Sequence, residues 1–146
     1  MKVLFDTSVL VTAVVDQLPN HEAALACYKR LTRSGRGRRS AFCTTHALAE
    51  CYATLTALPL GRRIQPAEAA RLIEENFASH LDVVSLTTAD YLAVVARVSF
   101  LGLQSGSIYD ALHVRCAEKE KCGRIITYNV ADFERLKPSG IEVVTP

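Results

Sequence analysis

Five short apolar runs, at residues 2–5, 41–44, 82–86, 124–127 and 141–145, alternate with stretches of helical periodicity along this 146-residue chain. That alternation is the signature of βαβ units, in which parallel strands are joined by helices that cover the sheet. The first run, "KVLF", is continuous rather than alternating and stops at an acid, as a strand buried on both faces does. Helices are expected over 7–16, 20–33, 46–58, 66–80, 88–102 and 107–121, with a helical turn at 131–136. Asn20 is placed to cap the second, Pro66 opens the fourth at its first position, and Pro59 and Gly61 close the third. The chain shows no internal repeat or inter-domain linker, and 146 residues suffice for one core, so a single domain over 1–146 is expected.

Composition narrows the setting. Hydrophobic residues make up 49% of the chain, yet no apolar run reaches 18 residues, so neither a membrane span nor a signal peptide is expected and the reading is cytoplasmic. Five cysteines without a C-x-x-C pair read as reduced thiols, and all but Cys122 lie among apolar neighbours. The net charge of +2 conceals an asymmetry: residues 29–39, "KRLTRSGRGRR", hold six basic side chains and no acid, leaving −4 on the rest. Clustered Lys and Arg suit phosphate contacts, with Arg36, Arg38 and Arg39 in the glycine-broken loop the candidates for nucleic-acid contact; a solvated helix end and surface loop is the alternative.

Four acids raise the question of chemistry. Asp6 ends the first strand, where sites of open parallel sheets gather; alone it could be a helix N-cap. Glu50 is the one formally charged residue between Ser40 and Gly61, in a helix of Ala, Leu, Cys, Tyr and Thr. A carboxylate among such neighbours needs a partner, a proton or a cation. Asp110 closes an S-x-x-D pattern from Ser107 and could merely complete a capping box. Asn129 and Asp132 follow the strand at 124–127. Taken together these acids point to a shared pocket, and clustered like charges are tolerated when a cation neutralises them. Hard oxygen donors without zinc-type His or Cys spacing select Mg²⁺ or Mn²⁺. His46 and His113 lie one helical turn from Glu50 and Asp110 respectively, and are expected to be packed or hydrogen-bonded.

"FDTSVL", "THALAE", "SIYDALHVRCAEK" and "IITYNVADFERL" resemble, in order, the four motif segments of the PIN domain, and the short chain is most similar to the VapC toxins of toxin–antitoxin pairs. The resemblance implies a three-layer α/β/α sandwich with a parallel, about five-stranded sheet. It also implies a Mg²⁺- or Mn²⁺-dependent endoribonuclease, with Asp6, Glu50 and Asp110 at the first three acidic positions. At the fourth, Asn129 stands where many relatives have Asp, and Asp132 lies three residues on. Thr7, or Ser8 beside it, matches the small hydroxyl residue after the first acid. An RNA substrate, a VapB-type antitoxin and a homodimer are the implied partners. A non-catalytic or weakly active PIN-like module that binds RNA or protein is the competing reading. A phosphotransferase of the haloacid dehalogenase type needs a second Asp two residues after the first, where this chain has Ser8.

Overall fold

The computed structural model describes residues 1–33 and 40–146. Along the chain run β1 (Val3–Phe5), α1 (Thr7–Val14), α2 (His21–Thr32), β2 (Ala41–Thr44), α3 (Thr45–Ala57) and α4 (Pro66–Ile73). A π-helical turn, Glu74–Ala78, extends α4, and β3 (Asp82–Val84), α5 (Thr88–Phe100), α6 (Ser107–Lys119), β4 (Arg124–Ile126), α7 (Val130–Arg135) and β5 (Glu142–Val144) complete the order. The expected alternation is present; β2 matches its apolar run, and the other four strands are one or two residues shorter than theirs. The π turn falls within the helix expected over 66–80, and its wider winding is what the sequence reading did not anticipate.

All four strand pairings are parallel, in the order β3-β2-β1-β4-β5. Period-two alternation divides the core in two. Val3, Phe5, Ala41, Cys43 and Ile126 face α1 to α4 on one side of the sheet. Leu4, Phe42 and Ile125 face α5, α6 and α7 on the other. Both faces are thus covered, as the continuous apolar character of β1 requires. The result is the three-layer sandwich expected from the sequence. All five cysteines are free and buried, Cys122 included, although its surroundings in sequence are polar. Among the described residues no helix is long and apolar enough to cross a membrane.

Helix ends show where local sequence decides. Thr87 and Asp90 form a reciprocal capping box at the start of α5. The similar pattern from Ser107 to Asp110 does not: the N-cap of α6 is Gly106, without a side-chain cap, so Asp110 lies one position too deep in the helix to answer it. Asn20 occupies its N-cap position in the left-handed region, φ 68°, and makes no side-chain cap bond.

Candidate functional site

The chain builds outward from β1 to β2 and β3, then returns to the other side of β1 for β4 and β5. The switch point therefore lies between the carboxyl ends of β1 and β4, where crossovers diverge and a crevice opens. Asp6 leaves β1 at that crevice, and its backbone N–H donates to the Ile126 carbonyl at the end of β4. Asp6 is the N-cap residue of α1, but its carboxylate makes no cap bond. It accepts instead from the hydroxyls of Ser8 and Thr127, both at 2.7 Å. Those hydroxyls are themselves fixed, since the N–H of Tyr128 donates to Ser8 and that of Asn129 to Thr127.

A cavity of about 370 Å³ opens here, walled by Asp6, Thr7, Ser8, Glu50, Asp110 and Asn129. Three of the four expected acids thus come together. Asp132 does not line this cavity; it is half-exposed and paired with Arg135 one turn along α7. A larger cavity of about 510 Å³, toward the C-terminal end of α1, is lined by Tyr28, Lys29, Arg33 and Asn76 among others and contains no acid. Arg36, Arg38 and Arg39 lie outside the described residues.

The acids are held differently. Glu50 accepts from Nε2 of His113 at 2.8 Å, and His46 Nε2 stands 3.3 Å from the same oxygen. The partner of the isolated Glu50 is thus histidine, a pairing that separation by 63 positions concealed. His113 is completely buried; its Nε2 also lies 3.7 Å from Asp6, and its Nδ1 meets the Thr44 hydroxyl at 3.3 Å. Burial alone would lower the His113 pKa, but the Glu50 hydrogen bond and the charges of Asp6, Glu50 and Asp110 outweigh it, so the net shift is upward. Burial, then the charges of Asp6, Asp132 and Glu50, raise the Asp110 carboxyl to about 6 against the pull of His113. Sequence reasoning missed Thr127 and Thr44. The available signal was a hydroxyl residue closing an apolar strand, the position Asp6 holds in β1.

The donor set fits a hard divalent cation. Three carboxylates face one cavity, Asp110 is raised partly by its own acidic neighbours, and the buried Thr7 hydroxyl in the same wall has no hydrogen-bond partner. Among the described residues no three acidic, histidine or cysteine side chains are already drawn into a ligand cluster. The charge is gathered while the ligand geometry is left open.

A parallel α/β sandwich with carboxylates at its switch point defines a class of acidic-site α/β domains suited to phosphate chemistry. The PIN domain model matches residues 3–137, and the chain belongs to that family. It is 35% identical over 139 residues to Ribonuclease VapC27 of Mycobacterium tuberculosis, covering 95% of this chain and 93% of the relative. Its fold is also that of M. tuberculosis VapC20, a Sarcin-Ricin loop cleaving toxin, with a TM-score of 0.71 at 16% identity, covering 96% and 98% of the two chains. VapBC2 from Rickettsia felis, bound to a DNA fragment from its promoter, matches with a TM-score of 0.68 at 16% identity over 99% and 98%.

Proposed function

We propose that this chain is a divalent-metal-dependent endoribonuclease, the VapC-type toxin of a toxin–antitoxin pair. The observation carrying it is the convergence of Asp6, Glu50 and Asp110 on one cavity at the switch point of a PIN fold. A bound Mg²⁺ or Mn²⁺ would supply Lewis acidity toward a phosphodiester and lower the pKa of water. Asp6, Glu50 and Asp110 would hold it, with the Thr7 hydroxyl within the same wall. Ser8 and Thr127 fix the Asp6 carboxylate, and His113 fixes Glu50, so neither acid must reorganise as substrate arrives. Asp132 contributes charge toward Asp110 from the rim, and Asn129 takes the wall position.

The deciding experiment is cleavage of total cellular RNA by purified protein in Mn²⁺ or Mg²⁺, against chelator and an Asp6→Asn control. Discrete metal-dependent cuts with 5′-phosphate ends, absent in the control, are expected. Truncating Arg36, Arg38 and Arg39 to Ala should weaken RNA binding and flatten its salt dependence in the same assay. Cutting that survives chelation, or that persists in folded Asp6→Asn protein, overturns the assignment.

The likeness to Ribonuclease VapC27 and to VapBC2 supports a VapB-type antitoxin as partner. A second copy is supported by the apolar face of α5, where Tyr91, Leu92, Val95 and Phe100 stand in solvent. Sedimentation velocity is expected to show a dimer; a monomer at micromolar concentration contradicts it. One observation favours the non-catalytic reading: an amide, Asn129, occupies the wall position while Asp132 faces Arg135. RNA affinity that is unchanged in chelator, without cutting, would select that alternative.

A further inference from the structure

Tyr109 precedes Asp110 on α6, and its ring lies flat on that of His46, with centroids 5.0 Å apart and planes 11° from parallel. His46 sits on α3 one turn before Glu50. The stacked pair therefore bridges the two helices that deliver Glu50 and Asp110. His46 is mostly covered, whereas Tyr109 is 50% exposed. One ring face is braced by imidazole while the residue keeps half its surface in water; the pair does not itself line the acidic cavity but adjoins two residues that do, Asp110 next to Tyr109 in sequence and Glu50, whose Oε1 lies 3.3 Å from His46 Nε2. Tyr128, the other aromatic beside a site segment, differs: it is partly buried against the core of α1 and α2, so its ring is packing.

We propose that Tyr109, braced by His46, is a shelf on which an unpaired nucleobase of the RNA stacks while the adjoining phosphate enters the acidic cavity. The proposal rests on the nuclease reading above and adds a substrate requirement, a single-stranded base next to the cut. The physical basis is threefold. Every base presents a π-face to an aromatic ring, so stacking recognises a single strand without choosing sequence. A base held in a duplex is already stacked on its neighbours, and RNA recognition favours loops and ends where bases can be splayed. The His46 brace fixes the ring plane before binding, which reduces the ordering that stacking requires. The acids repel the phosphate backbone, so an uncharged contact at the rim supplies attraction that the cavity itself does not.

The test uses the full chain carrying Asp6→Asn, to prevent cutting, and short single-stranded oligoribonucleotides with one 2-aminopurine moved along the sequence. At one register the fluorescence is expected to be quenched on binding, as a stacked base is. Adding Tyr109→Ala should abolish that quenching and weaken binding about 5- to 150-fold, the range given by alanine substitution of stacking aromatics. Tyr109→Phe should retain both, and His46→Ala should fall between. The same oligonucleotides annealed to a complement should bind with no dependence on residue 109. Because Tyr109 is half in solvent, the alanine variant is expected to fold, with the phenylalanine variant as control. If the unmodified protein cuts RNA in a metal-dependent way but Tyr109→Ala leaves quenching, affinity and KM at the parent values, the shelf is wrong and the nuclease stands. If the protein neither binds nor cuts any RNA offered, both fall together.

Discussion

Asp110→Asn is expected to remove RNA cleavage, by about 10²–10³-fold or more, and at the same time to stabilise the metal-free protein at pH 8. The first effect follows from deleting one of the charges preorganised at the cavity. The second follows from the environment of that charge. Burial and the carboxylates of Asp6, Asp132 and Glu50 raise Asp110 from 3.8 to about 6. Its ionised form is therefore disfavoured in the fold. For a carboxyl raised in the folded state, stability is highest below the unfolded value near 3.8, falls as pH rises toward about 6, and stays low above it. A shift of this size corresponds to at most about 3 kcal/mol, and solvent screening at a partly open site reduces it to about 1–2 kcal/mol. That figure is already net of the attraction between Asp110 and His113, which pulls the other way. Urea unfolding in chelator should then place the variant above the parent at pH 8, with the difference shrinking toward pH 4. An equal or lower midpoint at pH 8 means that the cavity does not strain its own charge. Retained cutting by the folded variant means that Asp110 is not part of the site.

The fold was legible because its determinants are local. The apolar runs that became β1, β2 and β4 are buried on both faces, and their neighbours carry helical periodicity, with Pro66 at the start of α4. The acids were legible for different reasons: Asp6 as a charge ending a continuous apolar strand, Glu50 as a lone carboxylate in an apolar helix, and Asp110 only through its place among the four motif segments. What the acids touch was less visible. The hydroxyl of Thr127 reaches Asp6 across 121 positions, and the S-x-x-D pattern at Ser107 looked like a cap until the backbone placed Gly106 first. The side chain of Asp132 turns to Arg135 because an exposed ion pair one turn away in a short helix is within easy reach. Spacing alone could not distinguish that outcome from entry into the cavity.

Phe133→Ala is expected to lower stability by about 3–5 kcal/mol, out of the roughly 5–15 kcal/mol typical of a domain. The reason is that α7 has little else to hold it. Six residues are too few for a helix to persist by propensity, and Asn129 at its start makes no side-chain cap bond. Its one fully buried residue is Phe133, which with Leu136 just beyond the helix belongs to the core layer of Val94, Leu112 and Ile125, and the Phe133 ring centre lies 6.3 Å from that of His113. Truncation to Ala should leave a void in a layer whose neighbours are fixed by β4 and α6 and so relax only partly. Phe133→Leu fills most of it and should cost about 1–2 kcal/mol. The urea midpoint should fall for both with the slope unchanged. The effect also reaches the site. Residue 129 enters α7 with its N–H on Thr127, and Thr127 donates to Asp6, so loosening α7 releases one of the two hydroxyls that orient the first acid. Cleavage per folded molecule should therefore fall in Phe133→Ala more than in Phe133→Leu. A loss of stability below about 1 kcal/mol in the alanine variant means that α7 is held by contacts other than this ring. A large loss with unchanged cleavage per folded molecule means that Ser8 alone keeps Asp6 in place.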